Sequence, residues 1–142
     1  MAKTLTVLML AVAVIAVAGL SIYFLMPRSV ETPKTEADIV IIIPKGASQP
    51  PEDWASGRVV DNRYYNPAVA RVVLGINNTV KWVNLDDVAH TVTSVEVPPN
   101  AQGFDSGVLG AGSSFVTIFS KAGRYEYYCQ LHPWAGGVID VS

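Results

Sequence analysis

Hydrophobic and polar positions divide the chain into two parts of different character. Residues 5–26 form an uncharged apolar stretch of 22 residues, and a helix of that length can span the roughly 30 Å hydrocarbon layer of a membrane. Beyond Asp38 the pattern changes to short β-branched and aromatic runs that are separated by Gly, Pro and Asn. Because this second part lacks any long stretch with a 3.6-residue period, the sequence predicts an apolar helix followed by an all-β domain.

The second part contains seven runs that are typical of β-strands. The predicted strands are residues 39–43, 68–74, 79–84, 89–95, 114–119, 123–128 and 137–141, with turns at residues 75–78 and 121–123. Residues 45–65 have weak strand character and are predicted to form an inserted loop. Seven strands in about 105 residues favour a single domain that is built as an antiparallel β-sandwich.

The N-terminal part divides into an apolar segment and a polar one. Residues 1–27 are predicted to be a membrane anchor or a signal segment, residues 28–37 a linker, and residues 38–142 the folded domain. The triplet Ala16-Val17-Ala18 resembles a signal-peptide cleavage site, but the apolar stretch continues to Met26, which favours one uncleaved transmembrane helix. A buried core helix is the third alternative.

The orientation of this segment cannot be assigned from charge, because basic residues flank it on both sides. We expect the domain on the extracytoplasmic side, periplasmic or pseudoperiplasmic, because signal-like N-terminal segments direct the export of the chain behind them. Residues 38–142 contain seven basic and ten acidic residues, a formal charge of −3, and no basic patch. A nucleic-acid partner is therefore not expected, since such proteins cluster lysines and arginines against phosphates.

The candidate chemistry rests on the one cysteine and the two histidines of the chain. Cys129 and His132 are three positions apart, and His90 lies in an earlier predicted strand. Because one cysteine cannot form an internal disulfide, Cys129 is a free thiol, an intermolecular bridge or a metal ligand. Taken alone, it would be an inert buried thiol, and His90 alone would be a structural histidine. An enzyme with a nucleophilic cysteine is not supported by any motif.

Together, a thiolate and two imidazoles form a soft donor set that suits copper in both oxidation states. Zinc accepts the same donors, but its structural sites usually complete a tetrahedron with a fourth Cys or His, and the chain contains no further one. We therefore predict one copper ion per chain, as Cu(II) or Cu(I), with His90, Cys129 and His132 as its ligands. We predict no cofactor other than this metal.

Three segments resemble the plastocyanin-like cupredoxins, a family of blue or type 1 copper proteins. Residues 84–92, Asn-Leu-Asp-Asp-Val-Ala-His-Thr-Val, resemble the strand that carries the first histidine ligand. Residues 104–109, Phe-Asp-Ser-Gly-Val-Leu, resemble the middle signature, and residues 128–133, Tyr-Cys-Gln-Leu-His-Pro, resemble the ligand loop. The resemblance covers most of the domain and implies a cupredoxin-like Greek-key β-sandwich of eight strands with copper at one end.

A site of this kind favours one-electron transfer as the function. His132 is expected at the exposed end of the domain, where it would be the exit for the electron. Transient redox protein partners are expected to dock around it, on a small apolar patch that includes Pro133 and Trp134. The predicted N-terminal helix would hold the domain at a membrane.

The axial position departs from the family pattern. Plastocyanin-like members have a weak axial methionine three residues after the loop histidine, and this chain has Ala135 there. The three methionines, Met1, Met9 and Met26, lie in or before the apolar stretch. Ala135 therefore suggests an open position on the copper, with Trp134 either as a gate or as an ordinary packed aromatic. The pattern is similar to the open-site mononuclear cupredoxins of ammonia-oxidising archaea.

That similarity implies an alternative function. A vacant coordination position would let the copper bind a small-molecule ligand, so the alternative is an open-site copper oxidoreductase that acts on a small nitrogen oxide such as nitric oxide or nitrite. No catalytic residue is assigned for this reaction.

Several neighbours of the candidate ligands bear on the site. Asp86 and Asp87 precede His90 and could impose negative potential there, although such a pair more often forms a solvated turn. Thr91 stands where many family members have an asparagine that tightens the ligand loops, so the site is expected to be either less constrained or tied by the hydroxyl. Ser106 is a further candidate tether. Core packing is expected of the aromatic residues Phe104, Phe115, Phe119, Tyr125 and Tyr127.

Overall fold

Eight β-strands make up the regular structure of residues 36–142, the part of the chain that the computed structural model describes. They are β1 (Ile39–Ile43), β2 (Val59–Val60), β3 (Val69–Val72), β4 (Thr79–Asn84), β5 (Thr93–Glu96), β6 (Ser114–Ile118), β7 (Gly123–Tyr128) and β8 (Ala135–Val141). The segment Glu36–Ser142 packs as one compact unit. Within residues 36–142, no helix has the length and apolar character that a membrane span requires. The predicted helix and most of the predicted linker lie outside the described residues.

The strand assignment confirms the all-β prediction. All seven predicted strands are present, and β1, β4 and β7 have the predicted limits. The fifth strand begins only at Thr93, because His90 forms an isolated bridge with Leu109 instead of joining the sheet. The last strand begins early, at Ala135, because Ala135 and Gly136 pair with β2. The two-residue strand β2 was not predicted, since two residues are too few to show a period.

The strands form two sheets, one in the order β1-β4-β6 and the other in the order β2-β8-β7-β5, with β3 also paired to β8. The prediction of an antiparallel sandwich is correct for three strand pairs, β4–β6, β5–β7 and β7–β8. It is wrong for the other three, because β1 pairs in parallel with β4, and both β2 and β3 pair in parallel with β8. Long connections separate these partners, which is what a parallel pair requires. Burial alternates in the same way along parallel and antiparallel strands, so the hydrophobic pattern of the sequence did not reveal the strand directions.

The core lies between the sheets, and its centre is aromatic. In β4, the alternate residues Val80, Trp82 and Asn84 point inward. The Trp82 ring lies 5.7 Å from Phe104 and meets Tyr127 edge-on at 5.4 Å between ring centroids, an arrangement that aromatic pairs prefer. The predicted packing role of the five aromatic residues is confirmed: Phe119, Tyr125 and Tyr127 are buried, and Phe104 and Phe115 are partly buried against the same core.

The predicted inserted loop contributes to the core as well. Ala47, Tyr64 and Tyr65 are fully buried, although the weak strand pattern of residues 45–65 gave no sign of inward-facing positions. The loop therefore packs into the core as part of the folded domain.

Tight packing also fixes the β7–β8 hairpin, which carries the candidate ligand loop. Tyr127 pairs with Gly137 across the two strands. A Cβ atom at Gly137 would lie 2.3 Å from Cζ of Tyr127, so only glycine lets the buried tyrosine ring cross the next strand at this point.

Candidate metal centre

A short loop between β7 and β8 carries two of the three candidate ligands. The backbone N–H of Cys129 donates to the carbonyl of Ala135 at 3.0 Å, and the N–H of Ala135 donates to the carbonyl of His132 at 2.9 Å. The N–H of His132 in turn donates to the carbonyl of Cys129 at 3.2 Å. The loop is therefore closed by its own backbone, which turns it back at the end of the hairpin and keeps Cys129 close to His132.

The third candidate ligand comes from the segment between β4 and β5. His90 and Leu109 exchange two backbone hydrogen bonds, of 3.0 and 2.8 Å. Asn84, at the inward-facing end of β4, donates from its side chain to the carbonyls of Val88 at 2.8 Å and Leu109 at 3.0 Å. These contacts hold the His90 side chain fully buried at the end of the sandwich.

The structure brings the three predicted ligands together. One donor atom from each of His90, Cys129 and His132 lies within 4.8 Å of the others. Nδ1 of His132 is 3.4 Å from Sγ of Cys129, and the two imidazole rings are 4.5 Å apart between centroids. Cys129 is fully buried and His132 is half-buried. The separations suit ligands that surround a single ion.

One buried ring nitrogen of His90 has no hydrogen-bond partner among the described residues. This nitrogen is Nδ1, and its state is unusual because buried polar atoms are nearly always hydrogen-bonded. Nε2 of the same ring is engaged by Asp86 at 2.9 Å. The free Nδ1 lone pair thus belongs to a site that a metal ion would complete, so the residues present fit a bound metal.

Thr91 ties the two ligand segments together. Its backbone N–H donates to Sγ of Cys129 at 3.2 Å, and its hydroxyl oxygen accepts the N–H of Gln130 at 2.8 Å. The hydroxyl therefore ties the ligand loop to the His90 segment, which is one of the two outcomes expected from the sequence. Ser106 acts as a second tether, because its hydroxyl accepts the N–H of Val92 at 2.8 Å.

The two aspartates before His90 differ in their exposure to solvent and in their partners. Asp87 is exposed and pairs with Lys45 at 2.9 Å, as a solvated turn predicts. Asp86 does not meet that expectation: it is only 4 % exposed. Its carboxylate accepts the Nε2–H of His90 and three backbone N–H groups.

Sequence reasoning also missed the role of Asn84 in holding the His90 segment. The available signal was its inward-facing position in the alternation of β4.

Comparison with known proteins agrees with this geometry. Residues 15–141 match the family described as Cupredoxin-like domain. The chain belongs to this family. Its fold is similar to a purple cupredoxin from Nitrosopumilus maritimus, with a TM-score of 0.58 and 33 % identity, over 75 % of this chain and 100 % of that one. Its sequence is 25 % identical over 99 residues to amicyanin from Paracoccus versutus, over 70 % of this chain and 73 % of that one.

Copper is the metal of this cupredoxin, and its thiolate and imidazole donors suit both copper oxidation states. Burial raises the pKa of the Cys129 thiol, but the nearby His90 ring and the N–H of Thr91 outweigh burial and leave the pKa below its ordinary value. Burial and the charge of His90 lower the pKa of His132. Both shifts favour the deprotonated forms that bind a metal.

The pKa of His90 shifts the other way. Burial acts to lower it, but the Cys129 sulfur and the Asp86 carboxylate outweigh burial and raise it. Burial likewise acts to raise the pKa of Asp86, but hydrogen bonds from Gly46 and His90, among others, hold it well below its usual range. Asp86 therefore remains an anion beside the buried imidazole.

Residues 36–142 contain no methionine, so no thioether from this part of the chain is available to the candidate ligands' metal. Ala135 is buried at the start of β8 and offers only a methyl group. Trp134 is half-buried between the His132 ring at 5.5 Å and the Trp54 ring at 5.3 Å. The indole thus packs directly against a candidate ligand and is itself held by the inserted loop.

Proposed function

We propose that this cupredoxin is a mononuclear type 1 copper protein that carries single electrons, with His90, Cys129 and His132 as the copper ligands. The observation that carries the proposal is the clustering of three donor atoms within 4.8 Å, together with the buried, unpartnered Nδ1 of His90. Copper bound there would supply one-electron chemistry by alternating between Cu(II) and Cu(I).

The surroundings of the ligands support a carrier. His90 is fixed by the Leu109 bridge and by Asp86, and Cys129 lies in a loop that its own backbone closes. The Thr91 hydroxyl joins that loop to the His90 segment. Because the protein pre-sets the donor positions, a change in oxidation state would require little movement of these residues, which favours rapid electron exchange.

The route for the electron is proposed through His132, which is the only half-exposed member of the three ligands. Apolar side chains that neighbour the ligand segments are exposed, namely Val88, Val108 and Leu131. A small apolar surface of this kind suits a transient encounter with a redox protein partner.

Electrochemistry of the full-length, copper-loaded protein tests this proposal. A carrier gives one reversible one-electron wave, and its visible spectrum stays unchanged when azide, nitrite or nitric oxide is added. The absence of a reversible wave would contradict the carrier. A spectrum that shifts with these additions, and shifts less in Ala135→Met, would instead support the alternative open-site copper oxidoreductase.

Membrane attachment is proposed separately and rests on the sequence alone. The apolar stretch of residues 5–26 supports an anchor in residues 1–27, a linker in residues 28–37 and a domain on the extracytoplasmic side. In fractionated cells, the full-length protein should remain with the membranes at high salt. Deletion of residues 1–27 should abolish this attachment, and recovery of an intact full-length protein in the salt wash would contradict the anchor.

A further inference from the structure

The metal centre includes a charged partner outside the three ligands. We propose that Asp86 is a positioning residue of the copper site: its carboxylate holds His90 with Nδ1 toward the metal and strengthens that nitrogen as a donor. The inference rests on the proposed copper site. It gives Asp86, in the turn before His90, a role in setting the metal affinity and the reduction potential of the site.

The geometry of the Asp86–His90 pair determines which ring nitrogen of His90 carries the hydrogen. Oδ2 of Asp86 lies 2.9 Å from Nε2 of His90, and both side chains are buried. An ionised carboxylate can only accept a hydrogen bond, so Nε2 must carry the hydrogen. In the neutral ring, which is the form that binds a metal, the lone pair of Nδ1 is then free. Nδ1 is also the nitrogen that lacks a partner among the described residues.

The carboxylate is itself held from several sides. Its Oδ1 accepts the backbone N–H of Gly46 and that of Asp87, each at 2.9 Å. Its Oδ2 accepts the N–H of Ser48 at 3.2 Å in addition to His90. A carboxylate with four donors cannot rotate without breaking several of these hydrogen bonds at once. Asp86 is therefore a rigid support for the His90 ring.

A buried anion on the far side of a ligand imidazole has two consequences for the metal. It makes the coordinating nitrogen more basic, and loss of such a partner typically weakens metal binding by about 10- to 100-fold. It also stabilises the more highly charged Cu(II) over Cu(I), because the extra negative charge lies in a water-poor interior. Asp86 should therefore lower the reduction potential of the bound copper.

The neighbouring Asp87 provides a matched control. It has the same charge and lies one residue away, but its side chain is 70 % exposed and pairs with Lys45. The comparison uses the full-length wild type, Asp86→Asn, Asp86→Glu and Asp87→Asn, loaded with copper. We expect Asp86→Asn to raise the potential and to weaken Cu(II) binding by about 10- to 100-fold. Asp87→Asn should change both far less, and Asp86→Glu should recover part of the loss.

A measurement without redox chemistry keeps the inference testable if Asp86→Asn does not fold. In the full-length wild type loaded with diamagnetic Zn(II), nuclear magnetic resonance of the His90 ring should show hydrogen on Nε2. That proton should resonate far downfield, as expected for donation to a carboxylate. Hydrogen on Nδ1, or an Nε2–H without this shift, would overturn the inference.

Folded Asp86→Asn protein with the potential and the copper affinity of Asp87→Asn would overturn it as well. That result would leave the proposed function intact as long as the wild type shows thiolate-to-copper absorption. Absence of this absorption in the wild type would instead remove the copper site. The two failures are therefore distinguishable.

Discussion

The phenol of Tyr65 donates a hydrogen bond of 2.7 Å to the backbone carbonyl of Thr91. Both groups are buried. Tyr65 belongs to the inserted loop, whereas Thr91 comes directly after one candidate ligand and bonds through its own N–H to the sulfur of another. The predicted inserted loop is thus joined to the metal centre through Thr91.

Tyr65→Phe removes that hydrogen bond and keeps the ring. We expect it to lower the free energy of unfolding by about 1–2 kcal/mol, because the Thr91 carbonyl is left buried without its partner. Denaturant unfolding of the metal-free protein measures the change. The matched control is Tyr64→Phe, since the Tyr64 hydroxyl is buried without a partner among the described residues and its loss should cost nothing. Equal losses in the two variants would contradict the assigned role.

Thr91→Val keeps the shape of the side chain and removes the hydroxyl that accepts the N–H of Gln130. We expect the free energy of unfolding to fall by about 0.5–1.5 kcal/mol, because a partly buried hydrogen bond is lost. Copper should also leave the variant faster, because one of the two bonds by which Thr91 ties the ligand segments is lost while its backbone bond to Cys129 remains. Chelator competition monitors the release, with Thr91→Ser as the variant that retains the hydroxyl. A release rate equal to that of the wild type would show that the tie is unimportant.

Gly137→Ala places a methyl group against the Tyr127 ring, where a Cβ would lie 2.3 Å from Cζ. The variant should lose about 1–3 kcal/mol of unfolding free energy, the usual cost of overpacking a core. Gly110→Ala is the control, because the atom nearest to its new Cβ is 3.9 Å away. Thermal unfolding of both proteins measures the difference. A Gly137→Ala midpoint equal to that of Gly110→Ala would contradict the close approach.

The sequence predicts the strands well where burial alternates over several residues. In β4, Val80 and Trp82 alternate with less buried positions, and such a period depends on local geometry alone. The parallel pairing of β1 with β4 could not be predicted, because alternation carries no information on strand direction. The burial of Tyr64 and Tyr65 was missed for a similar reason, since those residues are held by tertiary contacts and lie outside any regular strand.

The candidate ligands were accessible from sequence because their chemistry is unusual. A lone cysteine close to a histidine, with one further histidine, leaves few alternatives for the donors. Asp86 was not accessible in this way, since an Asp-Asp pair before a turn is commonly solvated. Only the backbone donors of Gly46 and Ser48, 40 and 38 positions away along the chain, explain why Asp86 is buried while Asp87 is not.

The most direct test of the metal centre is a titration of the full-length, metal-free protein with Cu(II), monitored by visible absorption. We expect an intense thiolate-to-copper band that saturates at one copper per chain. The band should be absent in Cys129→Ser and weakened or displaced in His90→Ala and His132→Ala, with circular dichroism confirming that each variant is folded. Saturable copper binding without the band, or a band that persists in Cys129→Ser, would contradict the assignment of this site.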